Sequence, residues 1–178
     1  LFIRNRAKTK LDPLVTGGGQ EFGIRPGTLP THQIVGMGEA FELANRDMDD
    51  DTARITTLRN QLWDGICNVP GVMLNGHPDQ RLCSILCVSV AGVEGESLLF
   101  SLRDLAVTSG AACNTAADEA SYVLRSLGRS DQLAHSSIRF SLGRFTTSEE
   151  INFAAASFRQ AVNHLHSMLP DRQAIVTS

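Results

Sequence analysis

Ser137-Ile138-Arg139-Phe140-Ser141-Leu142 alternates polar and apolar side chains, and a period of two over six residues marks a half-buried strand. Ile138, Phe140 and Leu142 go to one face and Ser137, Arg139 and Ser141 to the other, so the Arg139 guanidinium leaves the core. Upstream, Val72 to Asn75 and Ser84 to Val90 have strand character between turn residues. Helical stripes lie between these strands. Leu98, Leu99, Leu102 and Leu105 form one, and Ala120, Val123, Leu124 and Leu127 form another that stops at Gly128 as a left-handed cap. Thr147 and Glu150 stand three apart, as a capping box requires, ahead of Ile151, Ala154, Phe158, Val162, Leu165 and Leu169. Strands separated by helices, without strict alternation, predict an α+β module with helices packed on one face of a small sheet.

The N-terminal part reads differently. Leu1-Phe2-Ile3-Arg4 is an apolar run with strand character, and because it opens without methionine the chain is expected to start within a domain. Gly17, Gly18, Gly19, Gly23 and Gly27, with Pro26 and Pro30, mark a long, tightly turned loop. From Ile34, Val35, Phe41, Ala44 and Met48 to Ile55, Leu58, Leu62 and Ile66 the spacing is helical and far exceeds the usual helix of about 12 residues. A kink or break is expected near the acidic run Asp47 to Asp51, which is also the expected domain boundary, with 1–46 on one side and 47–178 on the other. The competing reading of that run is a solvated helix face.

Composition narrows the function classes. The 178 residues are 42% hydrophobic and 20% charged, and 16 Lys+Arg against 19 Asp+Glu leave a net charge of −3. That balance, with no basic run beyond the scattered Arg4, Arg6, Lys8 and Lys10, argues against DNA binding and against acidic membranes. No apolar stretch approaches the roughly 18 to 20 residues of a membrane span. Cys67, Cys83, Cys87 and Cys113 are too few and too irregular for a disulfide framework and read as reduced, intracellular thiols.

Three residues could carry chemistry. Cys113 lies in Thr108-Ser109-Gly110-Ala111-Ala112-Cys113-Asn114-Thr115-Ala116, where small neighbours leave the sulfur open to attack a substrate; the alternative is a small buried hydrophobe. Arg139, fixed on a strand, suits bidentate recognition of a carboxylate, against the alternative of an ordinary surface arginine. Thr28 follows Gly27 just before a helix, so its hydroxyl and the first-turn amides could bind a phosphate, although turn-making explains the glycines equally well. Cys83 and Cys87 would share one strand face about 13 Å apart, too far for one metal ion or a disulfide. Cys67 reads as core. His135, just upstream of the strand, could serve as a base, against the alternative of a structural or exposed loop histidine. His32, His77, His164 and His166 have no metal-ligand spacing, so no metal site is expected.

Together these strings resemble one family, the pyridoxal-phosphate-dependent cysteine desulfurases of the housekeeping type that feeds iron–sulfur cluster assembly. Gly17-Gly18-Gly19-Gln20-Glu21 through Arg25-Pro26-Gly27-Thr28-Leu29-Pro30 resembles the family's G-G-G-x-E-R-G-x-R-S-G-T loop, and Ile34-Val35-Gly36-Met37-Gly38-Glu39-Ala40 continues it. Ser109-Gly110-Ala111-Ala112-Cys113 resembles its S-G-S-A-C catalytic loop. Tyr122-Val123-Leu124-Arg125 and Ala134-His135-Ser136-Ser137-Ile138-Arg139-Phe140-Ser141-Leu142-Gly143-Arg144-Phe145 resemble the stretches that follow. Departures are Phe22 for an arginine, Pro26 for a serine, Ala111 for a serine, and an end, Pro170 to Ser178, unlike the family's extended tail.

The resemblance implies a fold-type I enzyme of the class V aminotransferase kind, with 1–46 the tail of its large α/β domain and inter-subunit loop and 47–178 its C-terminal small domain. It implies that Cys113 attacks the sulfur of L-cysteine held on the cofactor and becomes a persulfide as alanine departs. Arg139 would clamp the substrate carboxylate. Thr28 would contact the cofactor phosphate of the opposite subunit in a cytoplasmic homodimer that delivers sulfur to an iron–sulfur scaffold or another acceptor protein. The family's Schiff-base lysine, in an S-x-H-K-x-Y-G-P-K-G string, would come just before Leu1, because Lys8 and Lys10 are the only lysines and neither has that context. The alternatives are a cofactor-free persulfide relay or assembly module and a related class V lyase or aminotransferase.

Overall fold

The computed structural model describes residues 2–5, 8–109 and 120–169. The chain divides into two compact units, Leu1–Asp47 and Met48–Ser178.

In the first unit, Phe2 and Ile3 are in no strand and the backbone turns at Arg4 and Asn5, where Lys8 N and Thr9 Oγ1 both donate to the Asn5 carbonyl. The expected opening strand is therefore not formed. No strand among the described residues pairs with it, and a strand's backbone groups need a partner. The glycine-rich loop folds on itself. Its short 3-10 turn, Gln20–Gly23, holds Glu21 and Phe22 at φ 48° and 61°, a left-handed conformation that costs a side-chain-bearing residue about 1–2 kcal/mol. The Gly27 amide donates to the Gln20 side-chain oxygen at 3.1 Å and closes the loop.

Helix α1 (Thr31–Ile66) runs on through Asp47–Asp51, where a kink or break was expected. Charge does not break a helix when the carboxylates reach water or a cation. Arg46 binds Asp47 at 2.7 Å, and Asp51 lies 3.2 Å from Arg144 and 3.8 Å from Arg54. The acidic run is a solvated face.

The second unit is built on a four-stranded antiparallel sheet in the order β1 (Val72–Leu74), β2 (Ile85–Val90), β4 (Ser137–Ser141), β3 (Thr108–Ser109). Three strands are those expected from alternation. The fourth, β3, is only two residues long and carries no periodic signal. The β2–β4 register places Leu86 opposite Phe140 and Val88 opposite Ile138, so their side chains share one face. That face meets Ile55, Leu58, Leu62 and Ile66 of α1, Leu98 of α2 (Gly95–Ser101), and Ile151, Phe158 and Val162 of α5 (Ser148–Ser167) in the main core. Phe158 is fully buried and meets Phe140 edge to face, with ring centroids 5.7 Å apart. The α+β class expected from the sequence is the one observed.

Local chemistry sets the helix ends. Thr147 and Glu150 form the expected reciprocal capping box on α5. Helix α3 (Tyr122–Ser126) is shorter than its stripe and is followed by Gly128 at φ 82°, the expected left-handed stop. Helix α4 (Asp131–His135), capped by Ser130, was not anticipated, and His135 is its last residue, not part of a loop. A side chain at Gly95 would run into the His135 carbonyl, so α2 begins where only glycine fits.

Phe158→Ala should cost about 3–5 kcal/mol in denaturant unfolding, the amount for a buried aromatic whose site cannot collapse. Glu94 caps α2 by accepting from the Glu96 and Ser97 amides at 2.8 and 2.6 Å. Those hydrogen bonds, Ser97's foremost, hold its carboxyl below the ordinary 4.5. A lowered carboxylate stabilises the fold above that value and ceases to do so as pH falls through its folded-state pKa. An acid unfolding series should therefore show a shallower loss for Glu94→Gln than for the parent chain.

Candidate functional site

Strand β4 presents Arg139 away from the core because its neighbours Ile138 and Phe140 are buried. Register fixes what flanks it. Cys87 of β2 lies opposite Arg139 on one side and Thr108 of β3 on the other, so Cys87, Arg139 and Thr108 form one row on the polar face of the sheet. Arg139 is exposed, and among the described residues no carboxylate pairs with it.

Behind the row lies a network that the sequence did not reveal. Asn75 donates from Nδ2 to Ser89 Oγ at 2.9 Å and to Cys87 Sγ at 3.6 Å, while its Oδ1 accepts from Arg129 Nε at 2.8 Å. Arg129 also donates to the Leu74 carbonyl, and Arg81 to the carbonyls of Asn75 and His77. A small apolar cluster of Ala120, Leu124 and Ala134 packs against Cys87 on this face. Burial pushes the Cys87 thiol up from its ordinary 9.0, against opposing contributions from the Asn75 hydrogen bond and the positive charges of Arg139 and Arg81. That direction favours the neutral thiol over the thiolate and makes Cys87 a weaker nucleophile than a free cysteine.

The other cysteines correct two expectations. Cys83 precedes β2, so strand alternation does not reach it; it packs against the main core and does not share a face with Cys87. Cys67 is half-buried beyond the end of α1, with its thiol 3.7 Å from the Asp64 carbonyl, and is not a core residue. Cys113 lies outside the described residues.

Thr28 belongs to the first unit, on an exposed loop just before α1. The amides of Thr31 and Gln33 already donate to the carbonyls of Leu29 and Pro30. What the loop offers an anion is thus the Thr28 hydroxyl more than the free first-turn amides anticipated from sequence. Arg139 belongs to the second unit.

The second unit is thus an α+β unit whose inner strand β4 turns Arg139 out of the core. The class-V aminotransferase model covers residues 1–153, and the chain belongs to that family. Over 170 residues it is 54% identical to the cysteine desulfurase IscS of Aeromonas salmonicida (strain A449), covering 96% of this chain and 42% of that protein. With the IscS of Vibrio vulnificus (strain CMCP6) identity is 55% at the same coverage. A NifS-like protein from Rickettsia africae ESF-5 shares the fold, with a TM-score of 0.73 at 24% identity over 91% of this chain and 42% of that one. The chain thus spans less than half the length of the curated relatives it matches.

The row makes a measurable electrostatic claim. Arg139→Gln removes a cation that favours the Cys87 thiolate, so alkylation of Cys87 by iodoacetamide at fixed alkaline pH, read by peptide mass spectrometry, should slow. Unchanged or faster labelling would show that the guanidinium does not act on this thiol.

Proposed function

We propose that the chain is the C-terminal part of a pyridoxal-phosphate-dependent cysteine desulfurase that converts L-cysteine to L-alanine and keeps the sulfur as a persulfide on Cys113. The observation that carries this reading is the exposed Arg139 on β4, hydrogen-bonded in register to the strand that leads into residues 110–119. Identity of 54% to an enzyme named for that reaction supports it.

Arg139 receives the substrate carboxylate on its planar fork, which a lysine could not match in direction. Cys113 follows Thr108 by five positions, so covalent geometry alone keeps the two Cα atoms within about 18 Å of each other. The Cys113 thiolate attacks the substrate sulfur; a sulfur–sulfur bond forms and the substrate carbon–sulfur bond breaks. The electron pair left on carbon is quenched by a proton and alanine leaves, so one sulfur atom has moved and the sum of protons is unchanged. Pyridoxal phosphate supplies the electron sink that weakens the carbon–sulfur bond.

The residues present fit one end of that cofactor. Thr28, exposed beside Gly27 at φ 103°, offers a hydroxyl to its phosphate, across the subunit boundary of a homodimer. Lys8 and Lys10 are exposed in the opening segment, and neither stands in the sequence context of a Schiff-base lysine. The persulfide is handed to an iron–sulfur scaffold or another thiol acceptor in the cytoplasm.

In the complete enzyme, Cys113→Ser should lower sulfur transfer by about a thousandfold or more while leaving L-cysteine binding in place. Arg139→Lys should raise KM for L-cysteine by roughly ten- to a hundredfold. Wild-type turnover by the serine variant would refute the role of Cys113.

A further inference from the structure

Among the described residues, the buried polar side chains on the polar face of the sheet are almost all committed to partners. Ser89 accepts from Asn75, Ser137 donates to the Ala134 carbonyl at 2.8 Å, and the Cys87 sulfur accepts from Asn75. Thr108 is the exception. Its Oγ1 is shut off from solvent and has no hydrogen-bond partner among the described residues. It stands in the same row as Arg139, one strand over, where side chains opposite each other in an antiparallel pair lie about 4.5–5.5 Å apart at Cβ.

A buried hydroxyl without a partner is costly, and folded proteins rarely leave one. A carboxylate has about four acceptor positions, and a guanidinium fork fills two. The missing acceptor for Thr108 and the unfilled positions of an anion seated on Arg139 thus answer each other in chemistry and position. We infer that Thr108 is a substrate-binding residue, whose hydroxyl donates a hydrogen bond to the carboxylate held by Arg139. The step deepens the desulfurase reading and rests on its assignment of Arg139.

Seating the carboxylate exchanges an unsatisfied hydroxyl for a charge-assisted hydrogen bond, so Thr108 discriminates for amino acids with a free α-carboxylate over their esters or amides. Thr108→Val keeps the shape and β-branching and removes only the hydroxyl. If the hydroxyl had a structural partner, valine would destabilise the fold; if it waits for a ligand, valine leaves stability unchanged or raises it.

The test compares Thr108→Val, Thr108→Ser and Arg139→Lys in the complete enzyme, by thermal midpoint and by KM and kcat for L-cysteine. The expected result is a thermal midpoint for Thr108→Val at or above that of the parent, a KM about tenfold or more higher, and a KM restored to near the parent value by Thr108→Ser. A KM within twofold of the parent for Thr108→Val, or a lowered midpoint, overturns the proposal. Arg139→Lys separates the two readings. If it raises KM while Thr108→Val does not, the inference about Thr108 fails alone; if it too leaves KM unchanged, the carboxylate site itself is wrong.

Discussion

The pairing of β2 with β4 is the constraint on which the rest of the second unit depends. Leu86 opposite Phe140 and Val88 opposite Ile138 commit one face of both strands to the core. A slip of one residue would put Arg139 into that core and Ile138 into water, an exchange that costs several kcal/mol through the buried charge alone. The arginine is therefore aimed by apolar packing that it does not touch. Each large apolar side chain buried on the core face is worth about 1.5–3 kcal/mol, and together they hold the guanidinium where a short, directional contact with a carboxylate is possible.

The polar face is organised by one amide. Asn75 joins the end of β1 to Ser89 and Cys87 on β2, and Arg129 ties it to the turn between α3 and α4. Such a network is stabilising only when every member is satisfied, because the low dielectric that strengthens each bond also makes an orphan expensive. Cys87 shows the consequence for reactivity. It lies close to two arginines, yet its burial dominates and favours the neutral thiol. Proximity to positive charge does not by itself make a nucleophile.

Much of this was legible in the sequence where residues repeat with a period. The alternation of 137–142 gave β4, the direction of Arg139 and the core role of Ile138 and Phe140. The stripe from Ile151 and its capping box gave α5. Strand β3 has two residues, too few for any period, and its pairing with Arg139 is a tertiary fact. Helix α4 was signalled only by Ser130 ahead of Asp131, a cap without a long apolar stripe behind it. The apolar run at Phe2 and Ile3 suggested a strand, but strand propensity without a pairing partner does not make one. The acidic run in α1 showed the reverse error, since ion pairs and exposure let the helix continue. Of the candidate site, Arg139 was legible from its strand, while Thr108 was not, because only the β3–β4 register brings it beside Arg139, and Asn75 and Arg129 were not, because only tertiary hydrogen bonds join them to Ser89 and Cys87.

The most direct measurement is mass spectrometry of the complete enzyme after incubation with L-cysteine and digestion without reductant. One additional sulfur atom is predicted on the peptide that contains Cys113, and none on those of Cys67, Cys83 or Cys87. An unmodified Cys113 in an enzyme that still releases alanine, or sulfur found instead on Cys87, would contradict it.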